Sequence, residues 1–537
     1  MKRPSNLRLM QRPILRPGSH SLNATRFETA DVVPRAQAQP VLALAQQIDY
    51  KEHSMDTVIE QFKSLVEAVK RSERLPSMSR LITAILRITI FALLIQFITK
   101  GAWALPPAAS PKGCQVRTVD YEGWKAQDLF NEWVHVIIVP QLGGRVMQVK
   151  FGEHEYLFVN PRYKGQYIPP AAAAKTAPWI NYGGDKLWPL PEGQGDAEHW
   201  PGPVSDALDD GEYSFRVVSE KTACTVRLEG PPDLSTGLQY SREIVIGTSS
   251  PEISFHAEMK NASDHPIRWS VQSVTQYDTA DTQDRTRYNH DFWAFAPTNP
   301  QSAFVDGYLV RAGLADDPSF SVKDGWFTLH WLYLENEVWL DSDAGWIAVV
   351  DDSSQFGMIE KFQYAKNAEY PGRASVIFYK NGGALELDAS GMPRLRSSDP
   401  QRAPYYMEAE LNSPMIRLEP GASSAFDTKW YPVRADKNLK YVGSAGVVEI
   451  PLTAVLESDG IRLAGKFGVF FPGRLSARFY DTSGVEQHVD LGPVDPLHTV
   501  QLNQTIQAAA KVVRVSLHLD DGQGSDLGVV SEAEVTQ

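Results

Sequence analysis

The chain has 537 residues, 43% of them hydrophobic and 22% charged, and a formal net charge of -13. That length exceeds one ordinary hydrophobic core and sets an expectation of two folded units plus tails. The acidic balance excludes a nucleic-acid partner, because phosphate binding needs a basic footprint and no later segment carries one; neutral or hydroxyl-rich ligands stay open.

Residues 1–54 are polar, basic and proline-containing, and no packed structure is expected of them. From Met55 to Arg74, Ile59, Phe62, Leu65, Val66 and Val69 keep helical spacing, which predicts one amphipathic helix. The strongly apolar run Leu81 to Ile98 is interrupted by Arg87 and is too short for a membrane span. With Met78-Ser79-Arg80 as a basic start and Ala102-Trp103-Ala104 as a small-x-small cleavage site, residues 78–104 read as a secretory signal. Two explanations fit its place so far into the chain. Translation begins at Met78 and the signal is cleaved, which makes residues 1–77 an upstream over-extension; or the segment is an uncleaved anchor with residues 1–77 cytoplasmic. The first is preferred, although Lys100 lies close to the cut. Either way the remainder is expected to be periplasmic or secreted, with membrane contact only through an uncleaved anchor.

After a linker at 105–115, residues 116–434 read as short alternating strands broken by turns, among them Arg145 to Phe151, Ile253 to Lys260, Ile267 to Gln276, Ala374 to Tyr379 and Met407 to Leu411. Long helical patterns are absent there. So many strands imply stacked antiparallel sheets. Tryptophan stops at Trp430, and residues 440–537 give about seven further short strands without clustered aromatics, which predicts a small accessory β-sandwich. The fold class expected is therefore all-β: a large antiparallel supersandwich followed by a small sandwich module.

Cys114 and Cys224 are the two cysteines. Export would allow them to pair. The favoured reading leaves them apart, since Cys224 alternates with Val226 and Leu228 as a small core residue while Cys114 falls in the linker. No spacing matches a metal site, and no cofactor is expected.

The most informative string is Tyr405-Tyr406-Met407-Glu408-Ala409-Glu410-Leu411-Asn412-Ser413-Pro414. Alternation on a strand places Met407, Ala409 and Leu411 on one face and Glu408, Glu410 and Asn412 on the other. Two carboxylates and an amide projecting together suit sugar hydroxyls or a shared acid/base task, although a solvated outer face accounts for the same pattern. The stretch Trp179 to Trp200 brings flat indoles together with Asn181, Asp185, Lys186, Trp188, Glu192, His199 and Trp200, a donor and acceptor set fitted to a pyranose. Its alternative reading is a Gly/Pro loop whose indoles plug a sandwich edge. His290 and His330 are further imidazoles, more often packed or exposed than catalytic. Asp278, Asp281 and Asp284 form a solvated acidic turn in preference to a calcium loop, for they lack the Gly and terminal Glu of the 12-residue motif.

Several strings taken in order carry a resemblance: Val139-Pro140-Gln141-Leu142-Gly143-Gly144-Arg145-Val146, then Asn181-Tyr182-Gly183-Gly184-Asp185-Lys186-Leu187-Trp188-Pro189, then Glu369-Tyr370-Pro371-Gly372, and finally Glu408 to Pro414. Over about 300 residues they resemble the galactose mutarotase-like supersandwich, in particular the DUF4380 group. The resemblance implies a carbohydrate partner and chemistry at an anomeric carbon. One departure stands out. Where aldose 1-epimerases carry a Thr-Asn-His string, this chain has Thr275-Gln276-Tyr277, and Gln cannot act as acid or base near neutral pH. The expected site therefore has Glu410 as acid or base, with Glu408 or His199 as its complement. Asn181, Asp185, Lys186, Trp188, Trp200, Gln276 and Asn412 are the expected sugar contacts. An isomerase, a carbohydrate-active hydrolase or lyase, a non-catalytic sugar-binding module and an envelope interaction protein all fit the sequence.

Overall fold

Strict alternation of apolar and polar side chains carries most of the chain into strands: along Ile253–Asn261, Ile253, Phe255, Ala257 and Met259 are buried while His256 and Lys260 are exposed. The computed structural model describes residues 113–170, 179–193, 196, 198–383, 385–387, 393–395, 404–484, 486–507 and 511–537. The expected N-terminal tail, amphipathic helix and signal lie outside these residues. No α-helix occurs among the described residues, and no helix there is long and apolar enough to cross a membrane.

The architecture is all-β. A twelve-stranded sheet runs in space from Gln115–Tyr121 at one edge through Arg145–Phe151, Asp185–Leu190, Ile267–Asp278, Tyr406–Asn412, Val376–Lys380 and Asn336–Leu340 to Leu309–Gly313. A ten-stranded sheet runs from Phe320–Lys323 through Phe356–Phe362, Ser423–Arg434 and Ile253–Asn261 to Ser214–Glu220. Their facing surfaces share one large core that includes Leu187, Val338, Phe378, Met407, Ala409 and Leu411 from the first sheet and Phe255, Met259, Met358 and Trp430 from the second. An eight-stranded sheet built from residues 441–536 has its own cluster around Phe467, Phe479 and Leu517. It packs against the other face of the ten-stranded sheet, where Phe295, Ile359, Tyr431 and Val433 meet Leu439, Val447 and Phe470. On the outer face of the twelve-stranded sheet, Trp200 lies against Trp188.

Two sequence expectations are corrected. Cys114 and Cys224 form a disulfide that closes a separation of 110 residues. Cys224 is a core residue of Ala223–Glu229, and Cys114, buried just before the first edge strand, comes within reach of it across the two sheets. The Trp179 to Trp200 stretch is not all loop, because Asp185–Leu190 is a strand whose six residues are all buried. Its Pro189 is paired with Val271 on one flank, whereas on the other flank the strand meets its neighbour only where Asp185 faces Val146. The missing N–H of proline therefore has an edge-like place to go.

Candidate functional site

Register determines which side chains share the outer face. Glu408 lies opposite Gln276 on one side and Tyr379 on the other, and Glu410 lies opposite Val274 and Ile377. Tyr379 and Ile377 in turn face Glu337 and Trp339, while Val274 and Gln272 face Lys186 and Trp188. Because side chains alternate, these residues all stand on the side turned away from Met407, Ala409 and Leu411. They surround a cavity of about 210 Å³ whose wall includes Glu192, Glu337, Glu408 and Glu410, with Trp179, Trp188, Trp339, Tyr379 and Tyr406 as flat faces. That volume is below the ~300–1,000 Å³ of drug-sized ligand sites, which sets the scale at a small ring.

Size alone would point elsewhere. Hollows of about 630 Å³ near Phe304 and about 450 Å³ near Leu502 each gather a single carboxylate, Asp306 and Asp495. A hollow of about 340 Å³ beside His154 is acidic, yet its wall offers no indole. Paired carboxylates and indoles converge at the smaller cavity.

Both expected carboxylates are held in place from below. Gln276 Nε2 donates to Glu408 Oε1 at 2.6 Å, and the Lys186 ammonium lies 3.4 Å from the same oxygen. Gln272 Nε2 donates to one oxygen of Glu410. Lys186 is itself sandwiched by aromatics, 4.3 Å from the Trp188 ring centroid and 5.6 Å from that of Trp179. Burial lowers the proton affinity of Lys186, and the Glu408 charge opposes that shift. Glu410 moves the other way. Burial first, then the charges of Glu408, Glu337 and Glu192, push its carboxyl well above the usual range, with Lys186 pulling back. Glu192, on the rim and open to solvent on one side, is raised to about 7 by burial and by Glu337 and Glu408. Glu337 is also raised, chiefly by burial, while a hydrogen bond from Trp339 Nε1 works against the shift.

A second layer fixes the indoles. Asp209 accepts from Trp188 Nε1 at 2.6 Å and from Trp179 Nε1 at 3.0 Å, and it pairs with the buried Arg145 at 2.8 Å. Asp206 accepts from Trp200 Nε1 at 2.7 Å. An indole loses little by burial when its one polar group is satisfied in this way.

Of the expected residues, Glu410, Glu408 and Trp188 line the cavity, and Lys186 and Gln276 support Glu408 beneath its surface. Trp200 is fully buried behind Trp188, ring centroids 5.3 Å apart, so it backs the wall and is no sugar contact. His199 is corrected: it is half-buried, with Nδ1 2.8 Å from Asp196, and it does not border the cavity. Asp185 is also corrected, since it projects from its strand opposite to Lys186, into the core between the sheets, where Arg242, Ser273 and Thr275 hold it. Asn412 is fully buried with its amide donating to Ala374 O at 3.0 Å, Asn181 Oδ1 accepts from Gly183 N at 3.0 Å, and neither lines the cavity. His290 and His330 are placed elsewhere, joined by a contact of 2.6 Å between His330 Nε2 and His290 O. Tyr277 donates to Glu360 in the core at 2.6 Å, as its alternation with Gln276 requires. Among the described residues no three or more His, Cys, Asp or Glu side chains are grouped so as to hold a metal ion.

Sequence reasoning missed Gln272, Glu337, Trp339 and Tyr379. The signal was present in Asn336-Glu337-Val338-Trp339-Leu340, where an acid and an indole alternate with buried Asn336, Val338 and Leu340.

No family model and no curated protein matches the chain. Among solved structures, it is similar to a TPR-domain containing protein from Parabacteroides distasonis, at 15% identity over 57% of this chain and 47% of that one, with a TM-score of 0.37. The chain thus spans about half the length of that protein. It is also similar to a galactose mutarotase-like protein from Lactobacillus casei, at 9% identity over 57% of this chain and 99% of that one (TM-score 0.37). A galactose mutarotase-like protein from Clostridium acetobutylicum matches at 10% identity over 60% and 100% (TM-score 0.36). The fold class stands on the strand order and register described above, and the site on its own geometry.

Proposed function

We propose that the cavity is a saccharide site in an exported protein and that Glu410 and Glu408 act there as acid and base at the anomeric carbon. The observation that carries this reading is the pair itself: two carboxylates on one strand, roughly 7 Å apart along it, open into one aromatic-walled hollow, and their surroundings differ in kind. Glu408 is paired with a cation and an amide donor. Burial favours the protonated form of Glu410. Two carboxyls in unlike surroundings, one of them held protonated, are what acid–base work on one substrate needs, and the missing imidazole of the resembled family is then replaced by the neighbouring Glu. In a ring-opening step Glu410 donates to the ring oxygen and Glu408 removes the anomeric hydroxyl proton; closure on the opposite face reverses both transfers. The Cys114–Cys224 bond supports export, because disulfides persist in oxidising compartments.

Exchange between sugar anomers, followed by NMR line broadening or polarimetry, tests this. Glu410→Gln is expected to keep sugar affinity and lose exchange. A second reading, recognition without turnover, is favoured by the way Gln272 and Gln276 lock both carboxylates as fixed acceptors. It would be established by tight binding with no exchange in the unmodified protein and by loss of affinity in Glu410→Gln.

A further inference from the structure

The charge of the cavity is out of balance. Four carboxylates stand in its wall, whereas among its described lining residues there is no Lys, Arg or His. The one buried cation beneath it, Lys186, is committed to Glu408 and wedged between Trp179 and Trp188. Arg311, exposed, lies over the Trp339 ring at 5.6 Å and tempers Glu192 and Glu337 from the rim. Glu410 is 6% exposed; Gln272 satisfies one of its oxygens, and no described residue donates to the other. Its free oxygen therefore belongs to the hollow. A neutral ring would bring no cation to these carboxyls beyond the distant pull of Arg311 and Lys186, and an anionic one would add to the repulsion.

Resting on the saccharide reading above, we propose that the ligand is an amino sugar, whose ammonium group is seated among Glu192, Glu337 and Glu410 while its ring lies against Trp188, Trp339 and Tyr379. An ammonium group carries three donors and one positive charge, so it can meet the free oxygen of Glu410 and either rim carboxylate at once. Burial first, and neighbouring carboxylates second, raise all three carboxyls, and a single positive charge placed among them opposes both. The same wall discriminates against uronic acids and sugar phosphates.

The test is calorimetric titration of the full chain at pH 7 with D-glucosamine and D-galactosamine, their parent hexoses, their N-acetyl derivatives and the matching uronic acids. At least one amine is expected to bind about tenfold or more tightly than its parent hexose, and N-acetylation is expected to remove that advantage. Glu192→Gln and Glu337→Gln, made singly, are expected to bring the amine-to-hexose ratio toward one, and far-UV circular dichroism confirms that each variant is folded. A hexose or uronate that binds as well as the amine overturns the amino-sugar assignment and leaves the saccharide reading standing. If none of the sugars binds, both fall together.

Discussion

The indole N–H of Trp188 donates to Asp209 Oδ1 at 2.6 Å, so the flattest wall of the cavity is set by a residue that never touches it. Asp209 also holds Trp179 and is neutralised by Arg145, which is itself wholly buried and bonded to Gly183 O. Removing its carboxylate frees two indoles and leaves the buried guanidinium with Asp210, at 3.4 Å, as its remaining acidic partner. Asp209→Leu is expected to cost about 3–5 kcal/mol of stability, read by denaturant unfolding, and to weaken sugar binding by more than tenfold in the folded fraction. Asp209→Asn, which retains an acceptor, is expected to fall between the two.

Lys186→Met places an apolar side chain of similar length between Trp179 and Trp188 and leaves Glu408 with Gln276 alone. Glu408 is then positioned by one contact in place of two, and anomer exchange is expected to fall by about tenfold. Unchanged exchange would show that Lys186 does not hold Glu408 in place.

His199→Ala is expected to leave sugar affinity and exchange unchanged, because the imidazole is turned toward Asp196 and does not border the cavity. Asp185→Asn acts differently. It is expected to lower stability by about 3 kcal/mol through the loss of the buried pair with Arg242, with unchanged affinity in the molecules that remain folded. Affinity losses that follow either substitution with the fold intact would return these residues to the site.

Replacing Cys114 and Cys224 by Ser removes a crosslink over a separation of 110 residues. The chain-entropy model puts its contribution at about 4–5 kcal/mol. The melting temperature of the double variant is expected to fall by several degrees, and dithiothreitol is expected to lower that of the parent but not that of the variant.

Glu360 accepts from Tyr277 in the core between the sheets, and burial raises its carboxyl to about 8. Since the folded value lies above the unfolded one, this group's stabilising contribution is fully present below about pH 4.5 and is lost as pH rises through about 8. Glu360→Gln keeps an acceptor for Tyr277 and cannot ionise. Its stability relative to the parent, from urea unfolding, is expected to rise from near zero at pH 4 toward about 3–4 kcal/mol at pH 8.

The all-β class and the acidic heart of the site were legible because both depend on period-two alternation. Glu408 and Glu410 flank Ala409, which is fully buried, so the strand could be oriented from its own residues. Asp185 was misplaced for the converse reason: glycines and Pro189 made its strand read as loop, and without alternation it could not be separated from Lys186. Glu337 and Trp339 escaped notice because the start of their strand is polar, and its buried Asn336 is stabilised by contacts that only the fold supplies, to Leu314 O at 2.9 Å and Asp317 at 3.2 Å. His199 lies in the same stretch as the indoles, yet the Trp200 indole turns to Asp206 and the imidazole to Asp196. The disulfide required a contact between separate sheets that no local pattern encodes.

That crosslink joins the residue just before Gln115–Tyr121, the outermost strand of one sheet, to Ala223–Glu229, the penultimate strand of the other. Tension arriving from the amino-terminal side of Cys114 is shunted through the sulfur bridge before it reaches the backbone hydrogen bonds of Gln115–Tyr121. The rim strand is thereby spared from peeling, and mechanical or proteolytic fraying has to begin at some other point of the molecule.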